Sequence, residues 1–100
     1  MNDESIKELS EIADFISNRL DTLMPILKND FQQTRAWPMI QIAGAYLHFW
    51  RECKMTGETD VKVIHQYSLS RILAMPQLQE AMAMAMANAA HHKATGVRKE

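Results

Sequence analysis

Apolar side chains recur at helical spacing from Ile6 onward. At about 100° per residue, Ile6, Leu9, Ile12, Ala13, Ile16, Leu20 and Leu23 fall on one arc. Glu4, Lys7, Glu8, Glu11, Asp14, Asn18 and Asp21 cover the other side, the pattern of an amphipathic helix with one buried stripe. Ser5-Ile6-Lys7-Glu8 has the form of a capping box, which places the start of this helix near Ser5. Pro25 removes a backbone donor and pushes Met24 away from helical geometry, so the helix is expected to break there. A short second helix from Pro25 to about Phe31 follows, and then a polar connector through Gln32, Gln33 and Thr34.

Trp37-Pro38 opens the next pattern, because proline is tolerated in a first helical turn. The spacing predicts a helix from Pro38 to about Met55, with Gly57 as a left-handed stop. Its apolar arc runs through Met39, Ile40, Ile42, Ala43, Tyr46, Leu47, Phe49, Trp50 and Cys53. An arc about half the circumference wide suits a central helix with two or more neighbours. Gln41, His48, Arg51 and Glu52 are its expected wet side. A fourth helix is capped by Thr59 or Asp60 and runs from Val61 to about Ala74. Pro76 ends it and opens a fifth, which continues to about Lys93 with Gly96 as its stop. The alternation Met82-Ala83-Met84-Ala85-Met86 has strand periodicity, but alanine and methionine favour helix and no β-branched residue flanks them. On that helix Leu78, Met82, Ala85, Met86 and Ala89 are expected to face inward and Met84 outward. The fold class is therefore all-α: a compact bundle of four main helices plus one short one, forming a single domain over residues 1–94 with a frayed tail over 95–100.

Composition narrows what such a bundle is for. Apolar residues make up 47% of the chain, enough for one core and too much for wholesale disorder. No apolar run reaches the roughly 18 residues of a membrane span, and the first residues lack the features of a secretory signal. One cysteine, Cys53, makes neither an internal disulfide nor a closed zinc site, and fits a reducing compartment; the cytoplasm is the expected location. The net charge of −1 hides an uneven spread. Residues 1–21 carry six acidic and two basic side chains, whereas residues 81–100 carry one acidic and three basic.

No phosphate-binding glycine loop and no metal-ligand spacing occurs, so neither a cofactor nor a metal is expected. His91 and His92 point about 100° apart on a helix and read as a solvated helix end. Cys53 lies within an apolar arc and reads as an inert buried thiol. His48 and Glu52 are spaced to pair on the surface, and His65 sits at the edge of the fourth helix's stripe. An enzyme would need a pocket joining His48, His65 or Cys53, and none is visible in the pattern.

The leading reading is a non-enzymatic protein-binding module: an adaptor, regulator or inhibitor of a macromolecular complex. Small inhibitors of host defence carried by mobile elements share this make-up, an analogy of class only. The interaction residues expected are the acidic face Glu4, Glu8 and Glu11, the outward Phe15, Trp37 at a helix boundary, Met84 and His91. Homodimerisation fits the apolar content as well. The alternative is a dimeric helix-turn-helix-like DNA-binding regulator, since Gly57 sits in the turn between the third and fourth helices. The fourth helix carries only Lys62 and Arg71 to meet phosphate and bases, which argues against nucleic acid as the partner.

Overall fold

The computed structural model describes the backbone of residues 2–96 and the side chains of residues 2–90. Five α-helices follow one another: α1 (Asp3–Ser17), α2 (Leu20–Phe31), α3 (Trp37–Met55), α4 (Val61–Leu73) and α5 (Gln79–Gly96). A single 3-10 turn, Pro76–Leu78, leads into α5. The described residues include no strand, and none of their helices is long and apolar enough to cross a membrane. The expected tail over residues 95–100 lies largely outside the described residues.

The termini of the helices follow from local chemistry, not always where the sequence pattern pointed. α1 starts at Asp3, not Ser5, because Asn2 is the cap: its Oδ1 accepts the Ser5 backbone N–H at 2.8 Å. α1 also ends earlier than expected, at Ser17 and not near Leu23. Three carbonyls near this end find side-chain donors: Ser17 Oγ donates to Asp14 O, Arg19 Nη1 to Phe15 O and Arg51 Nη1 to Ser17 O, so the helix closes without leaving them all to solvent. Pro25 does not break the chain. It lies inside α2, where its missing N–H leaves the Asp21 carbonyl without its helical partner. α2 is thus a full helix of 12 residues, not a short one.

α3 is the central helix and ends as the pattern predicted, with Gly57 at φ 98°. In its inner half Trp50 is fully buried among Ala13, Cys53 and Ile64, with Leu9, Leu47 and Val61 closing over them. The Trp50 Nε1–H donates to Asp14 Oδ1 at 2.9 Å, and Lys54 Nζ meets Asp14 Oδ2 at 2.7 Å. Burial alone would raise the Asp14 pKa; the bonds from Lys54 and Trp50, with the Lys54 charge, outweigh it and hold that carboxyl below its ordinary range. On the opposite edge of α3, Phe49 packs with Ile72, Leu78 and Ala81. The expected wet side of α3 is half-covered, because α2 lies along it: Gln41 and Arg51 are half-buried, and Met24 sits against Gly44. A Cβ at Gly44 would lie 2.9 Å from the Met24 sulfur, so α2 and α3 approach closely there.

α4 is capped by Asp60, whose Oδ1 accepts the Lys62 N–H. It buries Ile64, Ser68 and Ile72, and the Ser68 hydroxyl is satisfied by Ile64 O at 2.8 Å. α5 departs most from expectation. Leu78, Ala81 and Ala85 are buried, but Met86 and Ala89, expected inside, are exposed. Asn88 anchors this helix by donating from Nδ2 to Arg35 O at 3.1 Å, which sets the buried face one notch round from the methionine stripe.

Candidate functional site

α1 and α4 both pack on α3 but leave part of its N-terminal half open between them. The floor of the opening is Met39, Ile42, Ala43 and Tyr46 of α3. Leu9, Ile12 and Ile16 of α1 form one wall, and Leu69 and Ile72 of α4 the other. The result is a groove of about 370 Å³ with no polar lining. Ile12 is 58% exposed and Met39 54%, and Leu69 and Ala43 are also exposed. Two of these assignments correct the sequence pattern, which placed Ile12 and Met39 in the core. The wheel identifies an apolar arc but not whether a neighbour covers all of it. Here α1 and α4 do not close over this part of α3, and Ala13 takes the buried place that Ile12 was expected to share.

The α1 wall is edged by charge. By helix geometry Glu8 and Phe15 lie immediately outside Ile12, with Glu4 and Glu11 just beyond. All three carboxylates are exposed, and none forms an ion pair among the described residues. Phe15 is 59% exposed, and the Arg19 guanidinium lies 3.9 Å from its ring centre, a cation–π stack that holds both side chains on the surface. Four of the sequence-predicted interaction residues, Glu4, Glu8, Glu11 and Phe15, therefore share one ridge beside the groove. The others are not joined to that ridge. Trp37 is half-buried as the first residue of α3. Met84 is exposed on α5, and the side chain of His91 lies outside the described residues. Sequence reasoning missed the groove itself, Ile12, Met39, Ala43 and Leu69. Its one available signal was the width of the α3 arc, about half the circumference.

The titratable groups of α3 and α4 form local pairs. His48 Nε2 lies 3.6 Å from Glu52 Oε2, the surface pair the spacing predicted. Glu52 Oε1 accepts from the Tyr67 hydroxyl at 2.6 Å, and that bond, with burial, pushes the Tyr67 pKa up. His65 Nδ1 and the Tyr46 hydroxyl are 2.7 Å apart, and burial raises the Tyr46 pKa. Cys53 is buried, and burial, with the charges of Glu58 and Glu52, raises its thiol pKa, the opposite of what a nucleophile needs. His48 lines a cleft with Pro25 and Gly44, whereas His65 lines one with Ile6 and Val61. Among the described residues no three His, Cys, Asp or Glu side chains converge to hold a metal ion. No family model, characterised protein or solved structure matches this chain.

Proposed function

We propose that the chain is a non-enzymatic protein-binding module, an adaptor, regulator or inhibitor, that works by burying an apolar helix of a protein in the groove between α1, α3 and α4. The observation that carries this reading is the lining: a groove open to solvent, about 370 Å³ in volume, with no polar group in it. Such a surface gains by being covered with hydrocarbon. Its width between two helices suits a third helix with anchors at i, i+3, i+4 and i+7. The acidic ridge beside it adds long-range attraction for a basic flank. Protein is favoured over DNA because the outer face of α4 presents Val63, Leu69 and Leu73 with its two cations, and Arg71 lies over the Phe49 ring at 5.2 Å.

The test is site-specific photo-crosslinking in cells. A photoreactive residue at Met39 or Leu69 is expected to join the same protein from both positions, and a control at Gln77 to join none. The protein recovered is then purified and titrated against the chain; Ile12→Asp is expected to weaken binding at least tenfold with the helical circular dichroism unchanged. Adducts that form equally from Gln77, or an Ile12→Asp affinity equal to wild type, would overturn the reading.

A further inference from the structure

The groove is not the only uncovered apolar surface. From Ala81 to Ala90 the sequence contains no charged residue, yet α5 buries only one narrow face there, Ala81 and Ala85. Ala83, Met86 and Ala90 lie on its outer face, and Met86 is 73% exposed. A helix apolar on every side belongs in an interior, and the single chain does not supply one. The two surfaces adjoin. Ile42 and Ile72 line the groove and also belong, buried or half-buried, to the cluster on which Met82 packs, so α5 runs along the groove's edge as a ridge. That ridge is fixed by Asn88 and by its buried alanines and cannot turn into the groove of its own chain.

We propose that the groove of each chain is filled by the outer face of α5 from a second copy, in a two-fold symmetric dimer. This inference rests on the reading of the groove as a protein-binding surface and names its occupant. A ridge and a groove side by side are self-complementary: rotation about a two-fold axis that lies in the interface, parallel to both and between them, seats each ridge in the other's groove. The charges agree, because the groove's α1 edge carries Glu4, Glu8 and Glu11 while the sequence from Ala81 onward is basic on balance.

The experiment uses the full chain. Light scattering on eluted protein at micromolar concentration is expected to give twice the monomer mass, and single substitutions Ile12→Asp and Met86→Asp are each expected to return it to one copy without loss of helical signal. Ile12→Cys and Met86→Cys variants, one of them tagged, are then mixed and treated with a short bismaleimide; a tagged-to-untagged adduct is expected, while Cys53, being buried, gives wild type no adduct. A monomer at every concentration tested overturns the proposal, as does a dimer whose adducts join Met86→Cys only to its own kind. In either case a crosslink from Met39 to a different protein would leave the binding-module reading standing. Dimers that yield the Ile12→Cys to Met86→Cys adduct, together with no foreign adduct, identify the second copy as the groove's occupant.

Discussion

Two side chains show how single residues set the properties of this bundle. Asp14 lies at the junction of α1 and α3, where it receives Trp50 and Lys54. Its carboxyl titrates below the ordinary value of 3.8, because those bonds outweigh its desolvation. A carboxylate whose folded pKa is depressed stabilises the fold above its unfolded pKa, and that contribution disappears as the pH falls through the folded pKa. Asp14→Asn is therefore expected to lower the melting temperature at pH 7, with the gap to wild type closing below pH 3.8; thermal melts across pH check it. A gap independent of pH would show that packing, not charge, is what the substitution removes. The second residue is Gly44. An alanine there gains about 1 kcal/mol of helix propensity, and its Cβ meets only the mobile end of Met24. Gly44→Ala is expected to keep or raise stability in urea titrations. Gly44→Val adds branched bulk against α2 and is expected to cost about 1–3 kcal/mol.

At the scale of elements, the sequence revealed what could be read from one helix at a time. The Gly57 stop, a cap at Thr59 or Asp60 and the approximate extent of α3 and α4 follow from local rules, and the structure settles the cap on Asp60. The α1–α2 boundary was illegible because one of its reasons is distant: Arg51, on α3, takes the Ser17 carbonyl, and a sequence window around Ser17 contains no sign of it. Pro25 misled for the converse reason. Its local penalty is real, but packing of Leu20 and Met24 against α3 overrides it. That override has a measurable cost, since proline in a helix interior is about 3 kcal/mol less favourable than alanine. Pro25→Ala restores a donor to the Asp21 carbonyl and is expected to raise the unfolding free energy by about 1–3 kcal/mol in chemical denaturation. No change would mean that α2 is already distorted around Asp21 enough to satisfy that carbonyl from solvent.

One copy leaves Ile12, Met39 and Met86 exposed, and this is why the candidate site escaped the sequence reading. Periodicity ranks the faces of a helix but does not count neighbours. α1 and α5 each have an apolar arc wider than the face they bury, and only assembly reveals Ile12 and Met86 on the outside. The distinction between covered and uncovered apolar positions has a direct test in adjacent residues. Ala13 is 1% exposed and packs against Trp50. Ala13→Asp would bury an unpaired charge, a change expected to cost more than about 4 kcal/mol and to unfold the domain. Ile12→Asp, one position along, places its charge in solvent and is expected to cost about 1 kcal/mol or less, a fall of only several degrees in melting temperature for a chain of this size. It is also expected to reduce binding of an apolar dye, because it removes the most exposed wall of the groove. If Ile12→Asp unfolded the chain as Ala13→Asp does, the space between α1, α3 and α4 would be closed core, and no partner could enter it.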